Sequence, residues 1–305
     1  MIYYMLRRLG VSIGLIVFVS LISFTLIFAS GDPAAKLAGE GSASDVAHLA
    51  SQYGFDRPIF VQYGRWLSGV ARGDFGESLY FRRPVSDLLV QHFALTAKLG
   101  AMSMVLALLI ALPLGIAAGY WPRSWIDRLA MAFTAFSQAM PPFCLAFLLI
   151  ILFSVKNTWL PPSGFETWRH YLMPTLALAV FATPAMIRLM KAEMETVLRS
   201  DFIRTARAMG VGTSKILLKY ALRNAVRPIV SLAAAQMGTL LAGSVVIETI
   251  FAINGAGQLA WISILRGDFP TIQALILVFS IFYILLTLGA DLFNGWLDPR
   301  IRMSH

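Results

Sequence analysis

The chain has 305 residues, of which 58% are hydrophobic and only 13% charged, and its mean hydropathy is strongly positive. This exceeds what the core of a soluble domain of that size needs and excludes an ordinary water-soluble fold. The net charge of +9 is compatible with nucleic acid, but the basic residues stand between long apolar runs, with no Cys/His zinc spacing and no basic-aromatic groove pattern, so no nucleic-acid partner is expected.

A bilayer core of about 30 Å takes about 20 apolar residues as helix, because hydrocarbon offers the backbone no hydrogen bonds. In chain order, six runs reach that length, at about 9–29, 96–118, 129–155, 171–190, 229–251 and 272–296. The sequence therefore predicts an all-α polytopic membrane bundle of six transmembrane helices. Arg7 and Arg8 ahead of the first run resemble the start of a secretory signal. A signal core spans about 7 to 15 residues, so the longer run reads as an uncleaved helix. Residues 31–95 are too long for a bare linker, and within 42–53 capping residues precede Val46, Leu49, Ala50 and Tyr53 at helical spacing, which predicts a small external cap.

Several runs contain helix breakers: Pro113, Pro141 with Pro142, Pro174 and Pro184. Neighbouring helices or cavity water must compensate for each. Cys144, the single cysteine, closes no intrachain disulfide and reads as a small buried hydrophobe. A charge at mid-bilayer costs about 2.5 to 3.5 kcal/mol on insertion scales and generally faces a bundle interior or water. Gln138 beside the proline pair, Gln236 and Glu248 are thus candidates for a pore lining or gate, with an interfacial structural role equally open for Glu248. Asp291 and Asn294 approach a span end where solvation suffices, and Trp121, Trp261 and Trp296 read as interface anchors.

Orientation follows from Lys and Arg in the short segments. Fifteen lie on one side, from Arg7 and Arg8 through Arg123, Arg128 and the 188–227 cluster to Arg300 and Arg302, against Lys156, Arg169 and Arg266 on the other. Both termini are expected in the cytoplasm and 31–95 outside. The resulting division is 1–30 for the tail and first span, 31–95 for the external insert, 96–296 for five further helices, and 297–305 for a cytoplasmic tail.

The loop at 191–228 is too long and regular for a turn. It reads as two short helices. Ser200 can cap the first, Phe202, Ala206 and Met209 share one face, and Gly210 stands where a left-handed residue would end it. The second can start at Thr213 or Ser214 and run toward Asn224, with Pro228 at the entry to the fifth span. From pattern alone such a basic amphipathic element either lies on anionic lipid or docks a soluble partner.

The string TARAMG at 205–210, then KYALRN at 219–224 and Pro228, resembles the cytoplasmic EAA loop of binding-protein-dependent ABC importer permeases, more narrowly their peptide and nickel branch. Thr205 stands where the general motif has Glu, and Tyr220 where many peptide permeases have His. YGFDRPIFVQYGRWL at 53–67, GDFGESL at 73–79, GSVVIETIF at 243–251, RGDFPTIQ at 266–273 and DPRIR at 298–302 are similar to the first permease subunit of dipeptide, oligopeptide, glutathione and nickel systems. The resemblance implies an ABC type-1 transmembrane domain whose loop helix seats in a groove of an ATPase subunit. Phe202, Ala206 and Met209 would supply the apolar contact, Arg204 and Arg207 its rim, and Gly210 the angle. It also implies four partners besides the lipid bilayer: a second homologous permease, two ATPase subunits and a periplasmic solute-binding protein, at a bacterial inner membrane.

No G-x-x-x-x-G-K-[ST] phosphate loop occurs. The 210–215 stretch GVGTSK is explained by turn and cap chemistry. The chain is therefore expected to be no enzyme and to bind no cofactor, with ATP and magnesium on the partner ATPases. His48, His92, His170 and His305 lack metal-ligand spacing. A secondary transporter or channel would show charged relays deep in several spans and an inverted repeat, and a membrane enzyme an intramembrane catalytic constellation. None is found in the sequence.

Overall fold

The computed structural model describes residues 2–29, 44, 51 and 56–297. Among them all regular structure is helical, apart from one isolated antiparallel bridge between Glu77 and Pro84. The helices are α1 (Ile2–Ala29), α2 (Ile59–Val70), α3 (Val85–Tyr120), α4 (Trp125–Ala139), α5 (Pro142–Lys156), α6 (Trp168–Leu198), α7 (Asp201–Ala208), α8 (Thr213–Ile250), α9 (Ala256–Arg266) and α10 (Phe269–Leu297). The expected cap helix at 42–53 lies outside the described residues, except that Ser44 and Ser51 are each helical. The DPRIR string is outside them as well.

Four helices, α3, α6, α8 and α10, are long and apolar enough to cross a membrane. The expected straight span at 129–155 is instead α4 and α5, bent by 97°. The two prolines cause the break. A residue before proline is driven out of the helical region, and both such residues are extended, Met140 at φ −96°, ψ 117° and Pro141 at φ −59°, ψ 142°. Counted as one broken span, the pair makes a fifth. Within α1 the apolar stretch is the shorter Leu9–Thr25.

Contacts divide the chain into two compact units. The first comprises Met1–Thr96 and Asn254–Leu285. Its core joins Val85, Leu88 and Leu89 to Ala256, Leu259, Ala274 and Leu275. That spacing of three and four residues on α3 explains why the helix starts at Val85, well before the apolar run at 96: its first turns are held by burial on one face. Thr96 closes the core by accepting the Ala256 N–H at 2.7 Å. On α1 and α2, Phe24 meets Tyr63 edge-on at 5.5 Å, and the Tyr63 and Ser20 hydroxyls hydrogen-bond at 2.8 Å.

The second unit comprises Ala97–Ile253 and Leu286–His305. Its centre is α6, which buries Met186, Met190 and Met194 completely. Gly115 and Gly119 of α3 allow the closest approach. A Cβ on Gly115 would stand 2.6 Å from the Met190 Cβ, and one on Gly119 would stand 2.7 Å from that of Met194. This is the small-xxx-small contact by which membrane helices gain dispersion energy that lipid cannot supply. Ala221, Ala225 and Ile229 of α8 complete the cluster around Met190 and Met194.

Candidate coupling loop and polar sites

Helix α7 carries Asp201 in its first turn and Arg207 in its last, the signs that suit the helix dipole. Ser200 holds the N-cap position in extended backbone, but its hydroxyl donates back to the Val197 carbonyl at 2.5 Å instead of capping α7. The expected apolar face is also divided. Ile203 and Ala206 are buried, whereas Phe202 is 46% and Met209 72% exposed. Two adjacent apolar residues, 202 and 203, offered two possible faces, and packing against the start of α8 selects the one containing Ile203. Arg204 lies 3.4 Å from Asp201, with both side chains largely exposed, and such a pair adds little stability.

The end of α7 is a complete Schellman motif. Gly210 has φ +75°, its N–H donates to the Arg207 carbonyl at 3.0 Å, and the Val211 N–H reaches back to the Ala206 carbonyl at 3.1 Å. Nothing lies within 4 Å of a Cβ built on Gly210, so backbone conformation alone requires glycine here. After extended Gly212, α8 starts at Thr213 and passes through a π-helical stretch, Ile216–Ala221. No second short helix stops before Pro228, and α8 continues through it to Ile250. An internal proline costs about 3 kcal/mol. Burying Ile229 returns about 1.5 to 3 kcal/mol, and Ala221 and Ala225 are buried on the same face, so packing prevails. Leu218 in the π stretch is 66% exposed.

Of the pore candidates, Gln138 is exposed and its side-chain oxygen accepts from Arg188 at 2.8 Å. The Gln236 amide points to the Ala182 carbonyl at 3.5 Å. Glu248 is fully buried and accepts the Ser244 hydroxyl at 3.0 Å, so it lines no exposed surface of the chain. Lys191 meets Asp127 at 2.5 Å, and Asp127 also accepts the Arg123 N–H at 2.9 Å. Lys98, not singled out from the sequence because averaged hydropathy hides one charge in an apolar run, holds its ammonium 4.1 Å from the centre of the Tyr171 ring. His170 sits in the capping box of α6 with Thr167, 3.2 Å from Glu166. Backbone N–H groups of Glu166 itself and of Phe165 hold the exposed Glu166 carboxyl below its ordinary range. No group of three potential metal ligands occurs among the described residues.

A second polar site lies in the first unit. The backbone turns at 78–83, where the Ser78 N–H donates to the Arg83 carbonyl at 2.9 Å and the Arg82 N–H to the Ser78 carbonyl at 3.0 Å. Arg82 takes φ +51°, a left-handed conformation that costs a residue with a Cβ about 1 to 3 kcal/mol. Asp268, between α9 and α10, is fully buried. Its carboxylate accepts the Ser78 hydroxyl at 2.6 Å, the Leu79 N–H at 3.0 Å and the Thr271 hydroxyl at 2.7 Å. Three donors satisfy a group whose burial would otherwise be costly. The Arg266 guanidinium lies over the Tyr80 ring at 5.0 Å.

Residues 111–303 match the family described as binding-protein-dependent transport system inner membrane component, and residues 1–100 match its N-terminal region. The chain is 39% identical over 304 residues to the glutathione transport system permease protein GsiC of Salmonella paratyphi A (strain ATCC 9150 / SARB42), covering 99% of both proteins. It is 38% identical, at the same coverage, to that of Escherichia coli (strain K12). Among solved structures, inward-facing forms of the MetNI methionine ABC transporter share the fold. In the CY5 native crystal form the match has a TM-score of 0.57 at 22% identity, covering 69% of this chain and 96% of that one. In such importers ATP hydrolysis resides on separate subunits. The chain belongs to the binding-protein-dependent transport system inner membrane component family and is a multi-pass inner-membrane permease subunit of an ABC importer.

Proposed function

We propose that this chain and a second, homologous permease together enclose a pathway for glutathione or similarly short peptides, served by a periplasmic solute-binding protein and driven by two ATPase subunits that bind ATP and magnesium. On this reading α1 and the bent α4–α5 pair both cross, giving six spans, and the excess of Lys and Arg in the short segments of one side supports cytoplasmic termini with residues 31–95 outside. Full-length identity to glutathione permeases supports the substrate class. Gln138 with Arg188, and Gln236, are the pathway contacts, and Glu248 is structural.

The observation that carries the coupling role is the exposure of Phe202 and Met209 on a helix whose other face is buried in the chain. Phe202 and Met209 enter the ATPase groove, Arg204 and Arg207 line its rim, Ala206 seats α7 on α8, and Gly210 sets the angle between them. A carboxylate at 202 forfeits about 1.5 to 3 kcal/mol of apolar burial and adds a desolvation cost. Phe202→Asp should therefore insert normally, lose most of its ATPase on co-purification and abolish uptake of labelled glutathione. Full ATPase stoichiometry and normal uptake at equal membrane abundance would refute the coupling role. Wild-type complex that keeps its ATPases yet imports neither glutathione nor a dipeptide would refute the substrate assignment alone.

A further inference from the structure

We infer that Asp127 with Lys191, and Gln138 with Arg188, are positioning contacts that bind α4 to the last turns of α6, so that a displacement received at α7 turns α4 about the break at Pro141 and Pro142. The inference rests on the coupling role proposed for α7. All of these residues belong to the second unit. Helix α4 packs chiefly on α6, and the stripe it buries consists of Asp127, Ala130, Thr134 and Ser137. Small side chains let two helices approach closely but supply no knob that fixes their register. The hydroxyls on the stripe supply none either. That of Thr134 donates to the Met131 carbonyl of its own helix at 2.8 Å, and the buried Ser137 hydroxyl has no hydrogen-bond partner among the described residues. Direction therefore comes from the two ends of α4. At one end Lys191 meets Asp127, and at the other the Arg188 guanidinium donates to the Gln138 side-chain oxygen at 2.8 Å.

Both members of the ion pair are held on their own sides. One oxygen of Asp127 accepts the Arg123 N–H at 2.9 Å, Arg123 takes the left-handed φ of +65°, and the Ser124 hydroxyl accepts the Asp127 N–H at 3.3 Å. The other oxygen takes Lys191. Glu195, on the same helix as Lys191, stands farther off at 4.0 Å. The turn of α6 that carries Lys191 is pressed against α3, where a Cβ on Gly119 would stand 2.8 Å from the Lys191 carbonyl oxygen, and Met190 and Met194 on either side of it are fully buried. A hydrogen-bonded ion pair with little exposure cannot slide without leaving a charge unmatched, so α4 follows α6. Toward α5 the opposite holds. Pro141 and Pro142 have no N–H, Met140 and Pro141 are extended, and the N–H groups of Cys144 and Leu145 donate to the Pro141 carbonyl instead of to α4. The backbone thus leaves the α4–α5 joint free to bend, whereas side chains close the α4–α6 joint. Helix α6 ends at Leu198 and α7 starts at Asp201, so motion of α7 enters α6 about two turns beyond Lys191.

The assembled transporter, with Cys144→Ala and reconstituted in nanodiscs, should carry one spin label at Leu129→Cys on α4 and a second at either Val155→Cys on α5 or Thr196→Cys on α6, all three positions being exposed. Trapping with ATP and vanadate should change the 129–155 distance by about 3 Å, the effect of a turn of roughly 10° over the rise of α4. The 129–196 distance should stay constant. Lys191→Met and Asp127→Asn, the latter keeping an acceptor for the Arg123 N–H, should each abolish the 129–155 change while the ATPases stay bound. In both, uptake of labelled glutathione per ATP hydrolysed should fall about fivefold, an ordinary coupling effect. Lys191→Arg, which keeps the charge, should restore both readouts. A merely structural pair predicts lower thermal stability with the distance change and the uptake ratio of the wild type, and that result overturns the inference. So does a 129–196 distance that changes as much as the 129–155 distance, or a wild-type complex in which neither responds to nucleotide. A 129–155 response that persists in Phe202→Asp removes the coupling role of α7 and this inference with it. A normal response in Lys191→Met and Asp127→Asn beside a silent Phe202→Asp removes this inference alone.

Discussion

Two regions are held by opposite means. The turn at 78–83 is fixed by a buried carboxylate that receives three hydrogen bonds, whereas α7 is seated by Ile203 and Ala206 and ended by a backbone motif. Hydrogen bonds are directional, and a buried one left unmade is costly, so the first joint has one geometry or none. Apolar burial is non-directional, so the second can slide or tilt at modest cost. The first joint therefore holds one shape, and the second tolerates small movements of α7.

The comparison is most severely tested at Asp268. Asp268→Ala strands three donors, each worth about 1 to 3 kcal/mol when buried and unsatisfied, and should lower the melting midpoint of the purified permease more than any single change in α7. Asp268→Asn, which keeps one acceptor oxygen, should fall between. If the alanine variant melts with the wild type, the joint is not built on that carboxylate. Next in size, Ile203→Ala should cost about 2 kcal/mol as a buried large-to-small change, with faster tryptic cleavage after Arg204 and Arg207 as its readout. Cleavage at the wild-type rate would mean that α7 is held by something other than this face. The smallest effect is at Gly210, where alanine meets no atom and only the left-handed penalty of about 1 kcal/mol remains. Gly210→Ala should fray the end of α7 in hydrogen exchange while Asp201 to Thr205 keep their protection. Uniform loss along α7 would make the glycine a packing residue.

How much of this was readable in the sequence depended on range. Gly210 was visible because its signal is local: a helical pattern followed by the residue that tolerates positive φ. The break at Pro141 and Pro142 was visible as a break, but its 97° angle depends on two consecutive extended residues and on what α4 and α5 pack against. Ile203 and Phe202 are adjacent and similarly apolar, so only the neighbouring π stretch of α8 decides which is buried. Pro228 marked an expected helix boundary, and burial of the residues on either side overrode it. Asp268 appeared only as a letter in RGDFPTIQ, since its partner Ser78 lies 190 positions away in the chain. Gly115 and Gly119 had the right spacing, yet nothing local indicates which helix will press against them.

The unbroken course of α8 has a mechanical consequence. Its 38 residues make a rod of about 57 Å at 1.5 Å per residue, with the π stretch beside α7 at one end. On such a rod a rotation of roughly 5° about the Ile250 end carries Thr213 through about 5 Å, close to one helical pitch. The gearing also runs the other way, so a stroke of a few ångströms delivered at α7 reaches the far end as a change of angle with almost no translation. Any bending concentrated at Pro228 would shorten the effective arm and waste part of that stroke, so under the proposed coupling through α7 the stiffness of the proline turn sets how much of the stroke becomes a change of angle.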